Sequence, residues 1–356
     1  MLRHFFHRWE RRFALVDNNR VVRPFEWGVE WIPPRERAAT TAPDGAVADP
    51  ARVVTAWARG ALADSETFFA TPPTSDYRVE ERSPGPAPGS AERTLVFPSA
   101  IETPHPENNT VYARYFPART RAGAPKRAVV VLPQWNADAG GHVALCRLMA
   151  RFGLSALRLS LPYHDRRMPP ELTRADYIVS PNVARTLQVC RQAVLDARRA
   201  AQWLAGCGYD RVGILGTSLG SCLAMLTATH EPLIRAQALN HISPFFADVI
   251  WEGLSTAHVR AGLDGHIDLE TLRTLWLSIS PFAHIERARD KRTLLVYARY
   301  DLTFPVRLSR QLVEAFRARG LTPRVAVLPC GHYSVGVAPF KYADAAVLIG
   351  FLRKNL

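Results

Sequence analysis

Short apolar runs alternating with longer helical periodicities predict an α/β protein built on a doubly wound, mostly parallel sheet. Three observations carry this. Strand patterns recur at 93–97, 111–116, 128–132, 156–161, 212–215, 236–240, 293–298 and 324–328. Helical patterns fill the later gaps, at 142–152, 183–205, 218–229, 308–319 and 342–352. Runs such as Val129-Val-Val-Leu132 lack polar alternation, as expected of strands covered on both faces.

The elements follow in order. The first 16 residues place Leu2, Phe5, Phe6, Trp9, Phe13 and Val16 at helical spacing among arginines, which predicts an amphipathic helix with a basic outer face. Packing on the main domain is the expectation for it. The alternative is a peripheral membrane contact through residues 1–16, because basic residues opposite Phe and Trp suit an interface. Residues 82–90 hold three prolines and two glycines in nine positions and read as a linker. This divides the chain into an N-terminal helical extension with its linker, 1–90, and a main domain, 91–356. Within that domain several helices close on glycine (Gly153, Gly206, Gly320). The stretch of about 242–285 is too long for a simple crossover and is expected to form an inserted helical cap.

Composition narrows the function classes. With 356 residues, 47% hydrophobic and 22% charged, the chain is long enough for a sizeable core and unlike a disordered one. No run approaches the ~18 apolar residues of a membrane span, and the N-terminus is a poor secretory signal. The net charge of +13 comes from arginine scattered along the chain, without a run of five basic residues. A nucleic-acid partner is therefore not expected. Five cysteines, widely spaced and odd in number, suggest neither a zinc site nor a disulfide framework. Reduced thiols and a cytoplasmic location are the expectation.

The strongest motif is Gly216-Thr-Ser218-Leu-Gly220, directly after the strand Val212-Gly-Ile-Leu215 and before a helix. A serine on such a strained strand-to-helix turn is exposed at the C-terminal edge of the sheet, and flanking glycines remove side chains that would collide. Serine needs a base and a group to orient that base. His332, in Leu328-Pro-Cys-Gly-His332, follows the last strand, and Asp301, in Tyr297-Ala-Arg-Tyr-Asp301, follows the strand before it. All three fall at the edge where open α/β sheets bind ligands.

In this order, Ser then Asp then His, residues 93–356 resemble the α/β-hydrolase superfamily of serine hydrolases, in its poorly characterised hydrolase-domain branch. The resemblance implies the α/β-hydrolase fold, with Ser218 as nucleophile, Asp301 as acid and His332 as base. It implies the Leu219 backbone N–H as one oxyanion donor. The second follows an early strand, where this chain reads Leu132-Pro-Gln-Trp135 instead of His-Gly, which points to the Trp135 N–H.

Tyr163 and His164 follow a strand end and are expected to line a substrate pocket, as is His241, which also suits a supporting polar role. His142 opens a helix and reads as a cap or packing residue. Asp264 and Glu270 read as solvated. Phe245, Phe246, Trp251 and Trp276 offer an apolar acyl pocket or ordinary core. The expected function is cleavage of a carboxylic ester or related acyl bond in a small-molecule or lipid substrate, with no metal or organic cofactor. The rivals are a non-catalytic binding protein on the same scaffold and a membrane-associated partner protein.

Overall fold

The computed structural model describes residues 2–16, 19–38, 49–81, 93–119 and 123–356. The linker expected at 82–90 lies outside the described residues. Nine strands form one sheet: β1 (Arg78–Glu81), β2 (Arg93–Pro98), β3 (Thr110–Phe116), β4 (Arg127–Leu132), β5 (Ser155–Leu159), β6 (Arg211–Thr217), β7 (Ile234–Asn240), β8 (Arg292–Ala298) and β9 (Arg324–Leu328). Their spatial order is β1-β2-β3-β5-β4-β6-β7-β8-β9. Pairing is antiparallel from β1 to β5 and parallel from β5 to β9.

Twelve α-helices accompany it: α1 (Leu2–Ala14), α2 (Pro34–Ala38), α3 (Pro50–Ala63), α4 (Ser65–Phe68), α5 (Val143–Arg151), α6 (Val183–Gly206), α7 (Leu219–His230), α8 (Phe246–Glu252), α9 (Ala257–Leu263), α10 (Leu269–Leu275), α11 (Val306–Ala318) and α12 (Phe340–Asn355) among the described residues. The apolar strand runs are explained by burial on both faces. Val130 and Leu132 join one apolar cluster with α3, α6, α7 and α11, while Val129 and Val131 join a second with α5 and α12. All four side chains are fully buried. Each such burial stabilises by roughly 1.5–3 kcal/mol relative to exposure, before the entropy of ordering is charged.

The N-terminal extension is integrated into this scheme. Val54, Trp57, Phe68 and Phe69 of α3 and the α4 region lie in the same cluster as Leu187 and Leu223. β1 departs from the sequence expectation: all four of its residues are exposed, and it is held to β2 by its backbone ladder and by an exposed Glu81–Arg93 ion pair. Helix α1 packs by its buried face, Phe6, Glu10 and Ala14, while Leu2 and Phe5 are exposed. No helix among the described residues is long and apolar enough to cross a membrane. The helices α8, α9 and α10 all fall between β7 and β8 in the chain, and α8 borders the cavity beside Ser218.

Candidate active site

Strand β6 delivers Ser218 at φ 57°, ψ −122°, and α7 begins at the next residue. Positive φ in a residue with a side chain is strained, and the neighbours show why it is tolerated. A Cβ at Gly216 would overlap the Gly220 carbonyl, and one at Gly220 would overlap the carbonyls of Leu132 and Pro133. The Ser218 N–H donates to Asn240 O at 2.8 Å, and Ser221 Oγ donates to Ser218 O at 2.6 Å. Both fasten the turn to strand β7 and helix α7.

The hydroxyl lies 3.1 Å from His332 Nε2, and His332 Nδ1 lies 2.9 Å from Asp301 Oδ2. The structure thus brings together the three residues that the sequence singled out. Asp301 is buried, and its second oxygen accepts the backbone N–H groups of Thr303 (2.8 Å) and Phe304 (2.7 Å). Burial alone would push this carboxyl up; the His332 charge and the hydrogen bonds of His241 and His332 hold it far below the usual carboxylate range. For His332 burial favours the neutral ring, but Asp301, through charge and hydrogen bond, and then the Glu10 charge outweigh it. Its pKa is raised above the ordinary histidine value. The ring also stacks on Phe304, with centroids 5.4 Å apart.

His241 occupies a more specific place than the expected pocket wall. Its Nδ1 lies 2.9 Å from the same Asp301 Oδ2, and its ring centroid is 4.7 Å from that of His332. It does border the cavity. His241, Asp301 and His332 also bring ligand atoms within 4.8 Å of one another, a spacing compatible with a metal ion. Both histidine Nδ1 atoms are already bonded to Asp301 Oδ2, while His241 Nε2 is buried without a hydrogen-bond partner.

Two other expectations need correction. Tyr163 and His164 do not line the cavity. The chain reverses after β5 with positive φ at Tyr163 and Asp165, which turns both side chains inward. Tyr163 hydrogen-bonds His105 there. His164 works from behind: Nδ1 donates to Pro162 O, and Nε2 accepts the Asn136 N–H, both at 2.9 Å. Burial lowers its pKa to about 4, so the ring is neutral and able to accept at Nε2. That bond shapes the Trp135–Asn136 turn. Trp135 is further held by its indole N–H, which donates to Ala175 O, and by stacking on His258. Among the described residues, neither the Leu219 nor the Trp135 backbone N–H has a protein acceptor, and both residues border the cavity beside Ser218.

The cavity measures about 900 Å³. Leu145 and Leu148 of α5 line one side, and Phe246, Val249 and Ile250 of α8 another. Of Phe245, Phe246, Trp251 and Trp276, only Phe246 reaches this wall; Trp276 is core, with its indole N–H on Val183 O. His142 also borders the cavity. Its side chain caps nothing; Nε2 instead lies 2.9 Å from Thr217 Oγ1, and burial lowers its pKa to about 4. Asp264 and Glu270 are exposed and pair with Arg260 and Arg273.

Sequence reasoning missed Glu10. This buried residue of α1 accepts the backbone N–H groups of Tyr333 (2.8 Å) and Ser334 (2.9 Å), directly after His332. An acidic residue on a basic helix gives no signal of a contact more than 300 positions away.

No protein-family model and no curated protein sequence matches the chain. Solved structures do. The chain is similar to an acylaminoacyl peptidase of Pyrococcus horikoshii, at TM-score 0.61 and 14% identity over 74% of this chain and 42% of that one. It is similar to an acetyl xylan esterase from Paenibacillus sp. R4, at TM-score 0.59 and 16% identity over 91% and 100%. A lipase in its open form matches at TM-score 0.54 and 12% identity, over 78% and 99%. The chain spans less than half the length of the peptidase. At these identities the likeness establishes the fold: the chain has the α/β-hydrolase fold.

Proposed function

We propose that the protein is a serine hydrolase that cleaves a carboxylic ester through an acyl-enzyme on Ser218. The observation that carries this reading is the continuous line Ser218 Oγ–His332 Nε2 and His332 Nδ1–Asp301 Oδ2, set on the wall of a cavity. In the reaction, Ser218 Oγ attacks the ester carbonyl while His332 Nε2 takes its proton. Asp301 holds the ring in the tautomer with a free Nε2 lone pair and stabilises the imidazolium that forms. The carbonyl oxygen, as it gains charge, accepts hydrogen bonds from the Leu219 and Trp135 N–H groups. His332 then returns its proton to the departing alcohol. A water activated by the same base releases the acid and restores Ser218.

The mostly aliphatic walls at Leu145, Leu148, Val249 and Ile250 suit an acyl chain from a small molecule or lipid. The similarity to an acetyl xylan esterase and a lipase, each covered over nearly its whole length, favours an ester over a peptide bond. The test is a panel of p-nitrophenyl esters of rising acyl length beside the matching p-nitroanilides. Hydrolysis of the esters by wild-type protein and its loss in Ser218→Ala support the reading. Full activity in Ser218→Ala overturns it.

A further inference from the structure

We propose that Glu10 is a positioning residue for His332, and that helix α1 is thereby a working part of the active site. This rests on the reading of His332 as the general base. The loop after β9 carries the histidine and turns at once into a single 3-10 turn, Ser334–Gly336. The N–H groups that open such a turn have no partner within it. Those of Tyr333 and Ser334 are taken by the two carboxylate oxygens of Glu10, one each, at 2.8 and 2.9 Å. Charge-assisted bonds of this kind are roughly twice as strong as neutral ones.

The surroundings are shaped for that contact. A Cβ at Gly331 would overlap the Glu10 side chain, so a residue with any side chain there would block the carboxylate. Phe6, one turn earlier on α1, stacks on Tyr300 at 4.6 Å, beside Asp301 in sequence. Phe13 stacks on Tyr333 at 6.4 Å. Helix α1 therefore touches both loops that carry the acid and the base. Burying a carboxylate is costly without hydrogen bonds, while α1 already has Arg3, Arg8, Arg11 and Arg12 for an exposed partner.

The charged and titratable groups around His332 are Asp301 after β8, His241 after β7, Glu10 on α1, and Cys330 and Tyr333 in its own loop, with Asp344 of α12 facing His241. Arg20 reaches Tyr333 from the N-terminal segment. Of these, Asp301 and Glu10 favour the protonated ring. Removing the Glu10 charge therefore lowers the pKa of His332.

The experiment uses the full chain with Glu10→Gln and Gly331→Ala, each checked for folding by thermal melting. The His332 ring is titrated by NMR of ¹⁵N-labelled histidine and kcat/KM is followed against pH with p-nitrophenyl acetate. In Glu10→Gln the His332 titration should move down, and the rising limb of activity with it. Its kcat on the plateau should fall by about 10- to 100-fold with KM nearly unchanged, as small displacements of a catalytic group cost. Gly331→Ala keeps every ionisable group but displaces the carboxylate, and should lose kcat by about 10-fold or more. A folded Glu10→Gln protein with a wild-type His332 titration overturns the proposal whatever its activity. If Glu10→Gln does not fold, wild-type kcat in Gly331→Ala overturns it. Wild-type protein that hydrolyses no ester would instead defeat the hydrolase reading, and the His332 titration would still report on Glu10.

Discussion

His241 and His332 share one carboxylate oxygen: both Nδ1 atoms lie 2.9 Å from Asp301 Oδ2. With Thr303 and Phe304 on the other oxygen, Asp301 accepts four hydrogen bonds in a buried setting. A carboxylate so supplied stays charged and fixed in orientation, which is what the base requires of it.

Replacing His241 should therefore be felt at a distance from the nucleophile. His241→Phe removes one donor to a buried charge, and should cost about 1.5–3 kcal/mol of stability. It should lower kcat by about tenfold with little change in KM. Thermal melting and steady-state kinetics check this. Wild-type values in both would show that His241 contributes nothing through Asp301.

The pH profile follows from the raised pKa of His332. Below that pKa the ring is protonated and cannot take the Ser218 proton, so activity rises as pH rises through it. The rising limb of kcat/KM for an uncharged ester should be centred above about 6.5, the ordinary histidine value. Asp301→Asn removes the charge favouring imidazolium. It should shift the limb to lower pH and cost on the order of 10⁴ in kcat by favouring the wrong tautomer. A wild-type profile that falls across the neutral range contradicts the assignment of the base.

The nucleophile turn makes a structural prediction. Gly216→Ala and Gly220→Ala each drive a Cβ into backbone carbonyls, where no side-chain rearrangement can relieve the overlap. Each should destabilise by about 2 kcal/mol or more and reduce activity. Denaturant melts that match wild type would show that the turn is looser than its geometry implies.

Much of this architecture was legible in the residues because burial wrote it there. Runs such as Val129–Val131 lack alternation because both faces of the sheet are covered, and Ser218, Asp301 and His332 are found by position after β6, β8 and the last strand. β1 escaped notice since Arg-Val-Glu-Glu is exposed at all four positions and buries no apolar face, being held by its backbone ladder and one exposed ion pair. Tyr163 and His164 follow a strand end as the triad residues do, but two positive φ values turn them inward, and pattern does not reveal φ. Glu10 was hidden for a different reason. Its partners are backbone N–H groups more than 300 residues away, which leave no trace in composition or spacing.

The central claim is that Ser218 is an activated nucleophile, and the most direct measurement is labelling with a fluorophosphonate followed by peptide mass spectrometry. Wild-type protein should gain one covalent adduct, located on Ser218, at a rate that rises with pH through the His332 ionisation. Ser218→Ala should gain none. A folded wild-type protein that resists the probe, or an adduct that maps to another residue, would contradict the account.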